Sequence, residues 1–103
     1  MAEPIRIRAR HHDGLTDVTV LMPHPMETGL AKDAASAFKP AHYITDVQVT
    51  LGARTVLRAR MSMAVSRDPL LSFRFRGGRP GERVQVTWAD NRGERRSDDV
   101  AIT

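Results

Sequence analysis

Tyr43-Ile44-Thr45-Asp46-Val47-Gln48-Val49-Thr50-Leu51 is the stretch that sets the fold class. Side-chain character changes at every step. Tyr43, Thr45, Val47, Val49 and Leu51 fall on one side of an extended chain, and Ile44, Asp46, Gln48 and Thr50 fall on the other. β-Branched residues dominate and no helix former interrupts them, so this is a central strand with one face toward a core.

Working outward, the same period recurs on both sides. Toward the N-terminus, Ile5, Ile7 and Ala9 alternate with Arg6, Arg8 and Arg10, a half-buried strand with a solvated face. His12-Asp13-Gly14 supplies a turn, with Gly14 able to take positive φ. Asp17 to Met22 follows, with Val18, Val20 and Met22 on one face and Leu21 on the other, and completes a hairpin. Ala31 to Phe38 reads either as one or two helical turns or as an irregular loop, and Pro40 ends it.

Toward the C-terminus, Gly52-Ala53 turns the chain into Arg54–Met61. Ser62 to Ser66 reads as a short further strand or an edge, and Asp68-Pro69 breaks it. Leu71, Phe73 and Phe75 then alternate with Ser72, Arg74 and Arg76. The loop Gly77-Gly78-Arg79-Pro80-Gly81 leads into Val84, Val86 and Trp88, which alternate with Arg83, Gln85 and Thr87. Asp90-Asn91-Arg92-Gly93 turns back into the polar strand Glu94–Ile102. About seven short strands, with turn signals every eight to twelve residues, predict an all-β, antiparallel, immunoglobulin-like β-sandwich, and residues 1–103 read as a single domain.

Composition narrows the chemistry. The 103 residues contain no cysteine, so the chain itself offers no disulfide, thiol nucleophile or thiolate ligand. Sixteen Lys and Arg against twelve Asp and Glu give a net charge of +4; only Lys32 and Lys39 are lysines, which leaves fourteen arginines. That balance steers anionic partners more than it binds them. No apolar run approaches the roughly 20 residues of a membrane span. Met1-Ala2-Glu3-Pro4 lacks the basic and apolar regions of a secretory signal.

Catalytic and ligand-binding patterns are weak. The histidines His11, His12, His24 and His42 raise a small metal-binding β-sandwich as an alternative, but none stands in a ligand spacing, and adjacent His11 and His12 point to opposite faces. Ser36, Ser62, Ser66, Ser72 and Ser97 lie in no nucleophile-elbow motif. Asp98 and Asp99 face apart, and no helix follows the Gly77–Gly81 loop to bind phosphate. The arginine faces lack interleaved aromatics for stacking on bases, so no nucleic-acid partner is expected.

The remaining feature is Met22-Pro23-His24-Pro25-Met26-Glu27. Two prolines remove backbone donors, fix φ and push their predecessors into extended geometry. A rigid, extended run bounded by adaptable methionines reads as a presented docking surface, with His42 and Tyr43 beside it. Alanine at His24 and Met26 is expected to weaken an association and leave the fold intact.

Met22–Gly29, Pro40–Thr45, Val65–Pro69 with Ser72-Phe73, Phe75–Gly78 and Val84–Asn91 with Gly93 together resemble the SoxZ family, over nearly the whole chain. The resemblance implies a non-catalytic subunit without cofactor or metal, in a heterodimer with SoxY, whose C-terminal cysteine carries the sulfur intermediates of thiosulfate oxidation. It implies transient partners SoxXA, SoxB and, where present, SoxCD. It also implies a periplasmic location reached with a signal-bearing SoxY, and partner-binding residues among Met22, Pro23, His24, Pro25, Met26, Glu27, His42 and Tyr43. A chain without cysteine suits such a carrier, since a second thiol could intercept the intermediate by exchange.

Overall fold

A computed structural model describes residues 2–103. Seven antiparallel strands form: β1 (Arg6–His12), β2 (Leu15–Leu21), β3 (Ile44–Leu51), β4 (Arg54–Arg60), β5 (Leu70–Arg76), β6 (Arg83–Asp90) and β7 (Arg95–Ala101). They build a three-stranded sheet, β1-β2-β5, and a four-stranded sheet, β4-β3-β6-β7. The immunoglobulin-like sandwich expected from the period-two pattern is the observed architecture. No helix among the described residues is long and apolar enough to cross a membrane.

The core is the set of inward positions that the alternation selects. Ala9 pairs with Val18, Val18 with Phe73, and Ile7 with Val20. Within the four-stranded sheet, Val47 pairs with Trp88 and Val49 with Val86. Val18, Val20, Val47, Val49, Val84, Val86 and Trp88 are buried. Each fully buried branched or aromatic side chain of this kind contributes about 1.5–3 kcal/mol of transfer free energy. One side of the sandwich is laced shut between β1 and the C-terminal segment. Ile5 N–H donates to Asp98 Oδ2 at 2.8 Å, His11 N–H to Thr103 O and Thr103 N–H to Ala9 O, both at 3.0 Å.

Two expectations change and one is narrowed. Ile44 belongs on the core face and is fully buried, because β3 shifts register against β6 between Ile44 and Asp46; the extra residue of a bulge carries Ile44 over to the side of Val47 and Val49. Residues 62–66 form a turn rather than a strand, closed by Val65 N–H to Ser62 O and Ala64 N–H to Ser62 Oγ. Residues 31–38 take no helical turn and follow the loop alternative, folded back on itself by an isolated bridge between Lys32 and Phe38.

Gly78 shows how tightly the sheets close at the β5–β6 loop. At φ +78°, a Cβ on Gly78 would fall onto Thr16 Oγ1 and lie 3.0 Å from Ile102 Cδ1. Thr16 Oγ1 cannot yield, since it is buried and donates to Gly77 O at 2.7 Å. Gly93, at φ +80°, has nothing within 4 Å of its Cβ position. Gly78→Ala is therefore expected to cost more than about 3 kcal/mol, and Gly93→Ala only about 1 kcal/mol of backbone strain. Chemical denaturation of the two variants measures the difference.

Candidate functional site

The residues singled out in the sequence meet at the end of the sandwich where β2 runs out. Met22-Pro23-His24-Pro25 is extended, as the prolines dictate, and its pleat sorts the side chains as far as the turn at Met26. Met22, His24 and Met26 face inward at 0%, 5% and 6% exposure, while Pro25 is exposed and Pro23 and Glu27 are half-buried. Every donor left by the prolines is satisfied internally. Met22 N–H reaches Pro69 O, His24 N–H reaches Asp68 Oδ1, and Met26 N–H reaches His24 Nδ1 at 3.1 Å. Met26 takes φ +48°, rare for a side chain of its size, and its Sδ accepts Ile44 N–H at 3.3 Å.

This burial revises the sequence reading. The segment is rigid, but only Pro23, Pro25, Glu27, His42 and Tyr43 of the expected set remain open to a partner; Met22, His24 and Met26 pack in the core. Alanine at His24 or Met26 therefore acts on the fold itself. Extended backbone alternates its side chains between two faces, so a presented segment of this geometry hides half of them.

At the centre lies a residue that sequence reasoning placed in a turn. Asp90 ends β6 in phase with Val84, Val86 and Trp88, and its carboxylate is fully buried. Oδ2 accepts His24 Nε2–H at 3.1 Å and His42 Nε2–H at 2.7 Å. Oδ1 accepts the backbone N–H groups of Arg92 at 3.0 Å and Glu94 at 2.9 Å. Burial alone would raise this carboxyl, but the four donors outweigh it and hold the group below its ordinary 3.8. The two imidazoles lie 4.5 Å apart edge to face, and the His24 ring stands at 89° to the indole of Trp88, 5.1 Å away. The signal available in the sequence was a carboxylate two residues beyond Trp88 on the apolar face.

His24, His42 and Asp90 each offer a ligand atom within 4.8 Å of the others, so they are the residues that could hold a metal ion. Their hydrogen bonding does not fit one. A neutral His24 bound to metal through Nε2 would carry its proton on Nδ1, where it would face the Met26 N–H that Nδ1 now accepts. His11 and His12 lie elsewhere, on β1; His12 pairs with Asp17 at 2.6 Å. A cleft of about 400 Å³ opens beside the cluster, lined by Arg6, Leu21, Pro23, His42, Arg67 and Trp88 among others. Among the described residues, both Asp90 carboxylate oxygens and both His24 ring nitrogens are hydrogen-bonded, while Trp88 Nε1 is buried without a partner.

Comparison with known proteins gives two results. The family described as "Sulphur oxidation protein SoxZ" matches residues 5–101. No curated protein sequence matches the chain. Among solved structures, the fold resembles superoxide reductases. A variant neelaredoxin from Archaeoglobus fulgidus has 16% identity and a TM-score of 0.67, covering 99% of this chain and 90% of that one. A putative superoxide reductase from Thermotoga maritima has 15% identity and a TM-score of 0.62, covering 100% and 88%. A neelaredoxin from Ignicoccus hospitalis has 14% identity and a TM-score of 0.57, covering 99% and 82%. At these identities the likeness is one of fold.

Asp90→Asn replaces an acceptor of four hydrogen bonds with a group that has one acceptor oxygen, and is expected to cost about 3 kcal/mol. Because the folded carboxyl titrates below 3.8, its stabilisation is complete above about pH 4 and drains away as pH falls through the folded value. Denaturation between pH 2 and 7 should show this acid loss in the parent and less of it in Asp90→Asn. Met26→Ala should cost about 2–4 kcal/mol at neutral pH.

Proposed function

We propose that this chain, which belongs to the SoxZ family of sulphur oxidation proteins, is the non-catalytic subunit of a SoxYZ carrier heterodimer. It is a Sox-system subunit. In this reading it supports a SoxY partner whose C-terminal cysteine carries sulfur intermediates, and it offers a docking surface to SoxXA, SoxB and, where present, SoxCD. The pair works in the periplasm, exported by the signal on SoxY.

The observation that carries this reading is the family match over residues 5–101. Two features of the chain support it. It has no cysteine, so a persulfide or thiosulfonate held on a partner meets no competing thiol. Its buried polar cluster is spent on structure, as a scaffold's should be, with Asp90 saturated by four donors. Pro23, Pro25, Glu27, His42 and Tyr43 form the part of the expected docking set open to visitors.

The outward face of β1-β2-β5 supports an anionic partner. Its rows run Arg6-Leu21-Leu70, Arg8-Thr19-Ser72, Arg10-Asp17-Arg74 and His12-Leu15-Arg76. Five arginines thus share the face with one carboxylate. That carboxylate is already engaged: the Arg74 guanidinium, and then His12, hold Asp17 down at about 2.

Purification from thiosulfate-grown cells should return the chain with a stoichiometric small protein, whose cysteine-bearing C-terminus shows sulfur or thiosulfate mass additions by intact mass spectrometry. Recovery of the chain alone would reject the carrier role, and recovery with stoichiometric metal would reject it and revive the metal-binding alternative. Association with the isolated partner should slow as ionic strength rises, because exposed charges are screened. A salt-independent rate would remove the arginine face from the encounter.

A further inference from the structure

The outward face of β4-β3-β6-β7 carries its side chains in rows across the sheet. One row runs Arg60-Asp46-Ala89-Arg95, and the next runs Arg58-Gln48-Thr87-Ser97. Arg60 and Arg95 stand on the two outer strands, three strand spacings or roughly 14 Å apart. Arg58 lies two residues from Arg60, roughly 7 Å along β4. Between these long side chains the row drops to a single methyl group at Ala89. A dent of about 270 Å³ results, walled by Arg58, Arg60 and Arg95 and floored by Asp46, Gln48, Thr87 and Ala89.

The bulge in β3 shapes one side of it. The register shifts between Ile44 and Asp46, next to Ala89, and a shift of this kind re-aims side chains. Thr45 Oγ1–H consequently donates to Asp46 Oδ2 at 2.9 Å. The other carboxylate oxygen, Oδ1, stays 3.9 Å from Arg60 Nε, too far for a hydrogen bond.

Positive charge is left over. Arg74, Arg83 and Arg96 are each bonded to an aspartate, whereas Arg58 and Arg95 belong to no ion pair among the described residues. Three guanidinium groups against the one carboxylate of Asp46 leave the dent with two positive charges in excess. A neutral donor lies in the floor as well. Gln48 Nε2 uses one N–H on Thr55 Oγ1 at 3.3 Å, and its second N–H is free for a ligand.

Geometry selects the ligand. A guanidinium grips an oxyanion through a planar fork of N–H donors. Here the forks come from opposite walls, so the ligand has to show oxygens to both sides. A carboxylate has two oxygens in one plane and serves one fork. A tetrahedral oxyanion has four and serves both, and a dianion matches the excess charge. We propose that this dent binds a free tetrahedral dianion of the sulfate or hydrogen phosphate class, with Arg58 and Arg60 on one side and Arg95 on the other. Such a site is independent of the carrier role proposed above.

Isothermal titration of the full chain with sodium sulfate, at an ionic strength held constant with sodium chloride, should show one saturable site per chain. Constant ionic strength removes the contribution of general screening. Arg58→Gln with Arg95→Gln should weaken binding about tenfold or more. Arg8→Gln with Arg10→Gln removes the same charge from the opposite sheet and should leave the affinity unchanged. Asp46→Asn takes away the resident negative charge and should tighten binding about threefold. All three variants should unfold thermally as the parent does in chloride, since every substituted side chain is exposed. Phenyl sulfate, with one charge fewer, should bind more weakly than sulfate; tighter binding would assign the dent to an ester-bearing molecule and reject the free dianion. No saturable binding by the parent, equal losses in the two double variants, or no gain in Asp46→Asn would each reject the site.

Discussion

A carboxylate taken out of water is tolerable only if its lone pairs are met by donors, and Asp90 has four. They come from three places distant in sequence: the strip after β2, the segment before β3, and the turn between β6 and β7. Each donor also settles a need of its own segment. His24 brings its Nδ1 to the Met26 N–H, which the extended proline strip leaves without a sheet partner. His42 fixes the foot of the loop before β3, and Arg92 with Glu94 close the last turn around Asp90. A carboxylate satisfied in this way is worth more to the fold than its bonds counted singly, because each polarises the next in a low-dielectric setting. Loss of any member strands the others.

The sandwich was legible because sheet burial is a local, period-two property. Val18 and Val20, Val47 and Val49, and Val84, Val86 and Trp88 all announce their faces within a few residues. Ile44 did not, since a bulge depends on the register of a neighbour rather than on the strand's own alternation. The cluster was legible only in pieces. His24 and His42 were visible as histidines, but Asp90 lies 66 and 48 positions away from them and reads locally as the start of a turn. What joins them is the pairing of β3 with β6, and the strip that leaves β2 packing against them, which no spacing rule reports. Rigidity of the Pro-His-Pro run was likewise readable, whereas which of its side chains face inward depends on how the strip lies over Trp88 and Ile44.

The buried polar residues His24 and Asp90 are turned inward and used in fixing loops, while the arginines of β1, β4 and β5 face outward. The open edges of the sandwich are guarded in the same spirit. β4 carries Arg54, Arg58 and Arg60, and β5 carries Arg74 and Arg76, so an added strand from another chain meets charge before it meets backbone. Such a molecule can offer partners a defined face without polymerising through its edges.

The lacing of β1 to the far end of the chain has a further consequence, which concerns time. Ile5 waits for Asp98, His11 and Ala9 for Thr103, and His24 for Asp90. During synthesis the first hairpin therefore leaves the ribosome long before the groups that complete it exist. With most contacts this remote in sequence, folding is a late and cooperative event. Until then, the proline strip is a stretch of apolar residues with unmet donors, and a folding chaperone would meet the chain in that state.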